Sequence, residues 1–158
     1  MKKILMLVMM MTLALTAASA QTTHTVDGLI NAFSSEKGVE KTHLGKALMR
    51  LGAVFLKGKE TNISHIAKGI NSVTVLDLDN CAKDVKQRFT QAVDSLDDAA
   101  YSQVLETNNG DDHVRILGKP DGYNMRDVVV ISIDDDDCTL VFLEGKIKGK
   151  DIKKLLDD

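Results

Sequence analysis

Residues 101–148 read YSQVLETNNGDDHVRILGKPDGYNMRDVVVISIDDDDCTLVFLEGKIK. Four runs rich in β-branched and apolar residues stand out: Tyr101–Thr107, His113–Lys119, Met125–Ile133 and Cys138–Lys148. The breaks between them are Asn108-Asn109-Gly110-Asp111, Pro120-Asp121-Gly122 and Asp134–Asp137. Asn-Gly and Asp-Gly supply the positive φ that tight hairpins require. Loops this short force neighbouring strands to run antiparallel, so the stretch predicts a four-stranded meander.

Immediately upstream the period changes. Ser72-Val73-Thr74-Val75-Leu76-Asp77-Leu78 alternates and is β-branched, which predicts one earlier strand in the same sheet, beside one of the later four. Asp79-Asn80 then stands where a helix cap is expected, ahead of the stripe Val85, Phe89, Ala92, Val93 and Leu96. Nearer the start, Val26, Leu29, Ile30 and Phe33 recur at helical spacing behind the capping residue Thr25. A second stripe, Leu44, Ala47, Leu48, Leu51, Val54 and Phe55, predicts another helix, with Thr42 as its N-cap. A helical turn is expected from Asn62 to Lys68 and a last helix from Asp151, burying Ile152, Leu155 and Leu156. Strands joined by hairpins beside segregated helices predict an α+β fold. Its sheet is mainly antiparallel, a C-terminal meander plus one earlier strand, with helices packed on one face.

The chain opens Met1-Lys2-Lys3, continues in an apolar run from Ile4 to about Leu15, and reaches Ala18-Ser19-Ala20 before Gln21. A positive start, a short apolar stretch and small residues at −3 and −1 are the parts of a secretory signal peptide, with cleavage between Ala20 and Gln21. A membrane anchor is the alternative, but a span needs about 20 apolar residues. The expectation is therefore a leader over 1–20, one α+β domain over 21–158, and a periplasmic or secreted location, not embedded in the membrane after cleavage. No Cys follows the cleavage point to take a lipid.

Removing residues 1–20 leaves 138 of 158 residues and takes away two lysines and no acid, moving the net charge from −3 to −5. One domain of this length buries a real core. An acidic chain without a basic, aromatic-interleaved patch is a poor nucleic-acid binder, so no nucleic-acid partner is expected. Trp is absent and aromatic residues make up 4%, which leaves little for the stacking platforms of sugar sites. Cys81 and Cys138 are the two cysteines, an even count that permits one disulfide in an oxidising compartment. Two separate buried thiols are the alternative. Neither lies in a Cys-x-x-Cys pair, so thioredoxin-like and four-cysteine zinc chemistry find no support.

The run Asp134-Asp135-Asp136-Asp137 could suggest Ca²⁺, but it lacks the spaced ligands, turn glycine and distal Glu of a calcium loop. It reads as a solvated hairpin tip. Lys146, Lys148 and Lys150 alternate at the end of the last run, which suggests protection of a sheet edge. His24, His43, His65 and His113 show no metal-ligand spacing, and no nucleophile elbow, dinucleotide fingerprint or phosphate loop occurs. No catalytic, cofactor-binding or metal residue is singled out. Asp94-Ser95-Leu96 matches a three-residue O-glycosylation acceptor pattern but reads as an ordinary helix C-terminus.

Four segments resemble the family called domain of unknown function 4252, found in exported proteins of Gram-negative anaerobes. They are Phe33–Val39, Ile70–Leu76, Tyr101–Glu106 and Leu140–Ile147, the last followed by a helix containing Asp151-Ile152. The resemblance covers most of the chain after the leader. It implies export and, from gene context, proximity to envelope-stress signalling; it implies no catalytic or cofactor residue. Members are often lipoproteins, whereas Gln21 stands here in place of the acylated Cys. Three functional readings follow. The first is a noncatalytic envelope binding domain, engaging an envelope protein or a small ligand through a sheet face or edge. The second is an accessory of envelope-stress signalling. The third is a hydrolase-type enzyme with a site assembled from distant residues.

Overall fold

A computed structural model describes residues 24–46 and 67–151. The order is α1 (Val26–Phe33), β1 (Glu40–Leu44), β2 (Ile70–Asp77), α2 (Lys83–Asp94), β3 (Ser102–Asn109), β4 (Asp112–Asp121), β5 (Asn124–Ile133) and β6 (Cys138–Lys148). The strands form one six-stranded sheet in the order β1-β2-β6-β5-β4-β3, and each adjacent pair is antiparallel. The predicted meander is there, and the earlier strand pairs with the last one, β6.

Local chemistry explains both helices. The Thr25 hydroxyl accepts from the Gly28 N–H at 3.1 Å, and Asp27 stands in the first, dipole-positive turn of α1. The stripe Val26, Leu29, Ile30 and Phe33 is buried, as are Val85, Phe89, Ala92 and Val93 of α2. Both stripes join one cluster with Leu76, Leu117, Val129, Ile131 and Leu140 from the sheet, so both helices cover the same sheet face. Phe33 meets Phe89 edge-on, with centroids 5.1 Å apart and planes at 88°. On the opposite face Ile70, Val128 and Ile147 form a smaller buried cluster.

Three expectations are corrected. Thr42 does not cap a helix; it sits mid-strand in β1, opposite Val75. The helical stripe competed with the open edge of β2, and pairing from Glu40↔Asp77 to Leu44↔Val73 won that segment. The remainder of that predicted helix from Ala47, most of the turn before 67–69, and the last helix beyond 149–151 lie outside the described residues. Asp79-Asn80 does not cap α2: its N-cap is Ala82, without a side-chain bond, because Asp79 Oδ1 is taken by the Cys138 N–H at 2.7 Å. The lysines of β6 do not guard an edge, since β6 lies between β2 and β5; Lys146 instead pairs with Asp121 at 2.9 Å.

Candidate functional site

The sheet carries register shifts at four strand pairs, and they fall on one line. They lie between Gln103 and Leu105, Leu117 and Lys119, Arg126 and Val128, and Ile70 and Ser72. Bulges bend a strand and re-aim the side chains beside them. On this line Gly145 has φ +139 and Asp127, a non-glycine residue, has φ +51.

Along each strand the core face changes character at this bend. Leu76, Leu140, Val129 and Leu117 belong to the main core; further along the same face come Ser72, Glu144, Asp127 and Lys119. The Ser72 hydroxyl donates to the Glu144 carboxylate. Asp127 accepts from the Gly145 N–H at 3.1 Å and from the Lys119 ammonium at 3.4 Å. The same ammonium lies 5.1 Å from the centre of the Tyr101 ring. A polar row thus crosses four strands and ends at Tyr101.

Tyr101 joins this row to a small open hollow of about 100 Å³, shared with Asp98, Gln103 and Arg115. Arg115 is fixed by two bonds, donating to the Val93 carbonyl at 2.7 Å and to Gln103 Oε1 at 3.3 Å. The first places a cation at the negative C-terminal end of α2. Asp98 accepts from the Val26 N–H at 3.1 Å, so it satisfies the N-terminus of α1 across 72 residues of chain. The Tyr101 hydroxyl is shut away from solvent and has no hydrogen-bond partner among the described residues. Burial first, then the charges of Asp127, Asp27, Asp98 and Glu144, push its phenol far above the ordinary value, so it stays protonated at neutral pH. The site therefore lines its hollow with a guanidinium, an amide and carboxylates, with an unpartnered, protonated phenol buried behind them. That chemistry suits recognition by hydrogen bonds and charge.

The residues singled out from the sequence lie elsewhere. Cys81 and Cys138 sit at the opposite end of the sheet, both as free thiols; Ala20 and Gln21 are outside the described residues. The aspartate run is a hairpin tip. Asp134 Oδ1 accepts from the N–H groups of Asp136 at 2.9 Å and Asp137 at 2.6 Å, which hold its carboxyl below the ordinary range. Three histidines go to separate places: His24 to the Ser95 carbonyl, His43 to Thr74, and His113 to Glu106. His65 is outside the described residues. Ser95 ends α2 and bonds back to the Gln91 carbonyl at 2.8 Å. Among the described residues no group of three or more metal-ligating side chains converges. The polar row was missed. Its signals were Gly118 and Gly145 inside strand patterns, which mark bulges, and polar residues at core-face positions.

The family described as "Domain of unknown function (DUF4252)" matches residues 33–155. No curated protein and no solved structure matches the chain.

Proposed function

The chain belongs to the domain of unknown function DUF4252 family, and from that premise we propose that it is an exported, noncatalytic binding domain of the cell envelope. Residues 1–20 serve as a cleaved leader, and the mature domain works in the periplasm or outside the cell. Among the described residues no helix is long and apolar enough to cross a membrane. The observation that carries the binding role is the hollow at Tyr101. Its hydroxyl is buried with no hydrogen-bond partner among the described residues, Tyr101 lines a hollow shared with Arg115 and Gln103, and burying an unsatisfied donor costs about 1–3 kcal/mol, a cost that an acceptor reaching in from the hollow would offset. The occupant is an envelope protein or a small ligand that presents hydrogen-bond acceptors.

Crosslinking of the tagged protein in cells, followed by mass spectrometry, tests this. The expected result is a form beginning at Gln21 that retains one dominant envelope partner. Recovery of an uncleaved chain from the cytoplasm contradicts export. Recovery of the mature form with nothing above background contradicts a protein partner and directs the search to small acceptor-bearing ligands.

A further inference from the structure

At the far end of the sheet from the hollow, the fold brings together two cysteines that are 57 residues apart in the chain. Both are tied to one residue. The Leu78 N–H donates to the Cys138 carbonyl at 2.8 Å, and the Leu78 carbonyl accepts from the Cys81 N–H at 3.0 Å. A second tie holds the same corner, from the Cys138 N–H to the Asp79 carboxylate at 2.7 Å. Cys81 packs against the core cluster that contains Cys138. Their exposures differ: Cys138 is 1% accessible, while Cys81 is half-buried at the turn.

We infer that Cys81 and Cys138 form a redox pair that closes into a single disulfide, joining the β2–α2 turn to the start of β6. The difference in exposure orders the steps. The Cys81 thiolate attacks the disulfide of an oxidant, either a thiol–disulfide exchange protein or oxidised glutathione. One thiolate leaves and a mixed disulfide forms on Cys81. Cys138 then loses its proton and attacks the Cys81 sulfur from inside the fold, expelling the second thiolate. Two protein thiols are oxidised, and the oxidant's disulfide is reduced to two thiols. Cys138 needs no access to solvent, because its partner is carried to it. Burial raises both thiols, with Lys86 opposing: Cys138 goes to about 12, with Asp79, Cys81 and Asp77 adding to the rise, and at Cys81 Glu36, Asp77 and Asp79 add.

The pairing is independent of the binding role, and purified protein tests it. The full chain is incubated with oxidised glutathione, denatured, treated with N-ethylmaleimide and weighed intact. The expected mass is about 2 Da below that of the reduced chain, with no maleimide added; after reduction two maleimides are taken up. Two maleimides without prior reduction, or persistent glutathione on both cysteines, overturn the pairing. The variant Cys138→Ser separates closure from simple surface reactivity. Its mixed disulfide on Cys81 should persist, whereas that of the unaltered chain should resolve. Equal persistence in the two proteins overturns the inference.

Discussion

Gly145 and Tyr101 make the site's demands visible at the level of single residues. A Cβ on Gly145 would lie 2.3 Å from the Gly69 carbonyl oxygen and 2.9 Å from the Ile70 Cα, at a φ of +139°. Backbone stands in that space and cannot yield as a side-chain tip would. Gly145→Ala is therefore expected to destabilise the fold by about 2–4 kcal/mol, read from urea denaturation; a loss under about 0.5 kcal/mol would contradict the close approach. Tyr101→Phe should behave in the opposite way. It removes a hydroxyl that has no partner among the described residues, so the free protein should become about 1 kcal/mol more stable in the same assay while binding weakens. The sequence made some of these demands legible. Gly110 and Gly122 occupy positive φ in the two hairpins where Asn-Gly and Asp-Gly were read. Asp127 at φ +51 was not legible, because its strained backbone is held by contacts from β4 and β6 that no local pattern encodes.

The elements form where the burial pattern and the chain's own caps agree. For α1 and for the meander with its turn residues both signals point the same way, while α2 forms on its buried stripe without a side-chain cap. Around Thr42 they conflict, and pairing with β2 overrides the helical stripe. Cross-strand bonds depend on where β2 lies in space, which a window of sequence cannot report. The turn after α1 is also tied to α2, by Glu36 and Arg88 at 2.7 Å. Arg88 is 51% exposed and Glu36 27%, so solvent screening keeps this bridge below about 1 kcal/mol. The hydrogen bond from Arg88 holds the Glu36 carboxyl below its ordinary 4.5. A depressed carboxyl stabilises fully above its unfolded value and loses that contribution as pH falls through the lower folded value. Arg88→Ala should thus cost under about 1 kcal/mol at neutral pH, less in high salt, and nothing once acid has protonated Glu36. An unchanged cost in strong acid would rule the pair out as its source.

For the whole molecule, the sheet separates two features: the Tyr101 hollow at the bent end and the two cysteines at the other. The bend depends on bulges lining up across strands far apart in sequence, so single-strand patterns showed the sheet without the polar row that crosses it. The cysteine pair was legible only as an even count; the fold supplies the shared anchor at Leu78. In the chain-entropy account, a bridge closing a span of this length stabilises by about 4 kcal/mol. The oxidised protein should therefore melt well above the reduced one, by roughly 8–15 °C at this chain size, and coincident melting curves would show that strain in the folded, bridged state cancels the gain.

In the proposed function, the hollow beside Tyr101 engages an envelope occupant. A photo-crosslinking residue placed at Gln103, on the rim of that hollow, tests it most directly, with one at Gln87 on the exposed face of α2 as the control. The expected result in living cells is a discrete adduct in the envelope fraction from position 103. It should be absent from position 87 and lost when Arg115→Ala is added. No adduct from 103, or the same adduct from both positions, would contradict the claim.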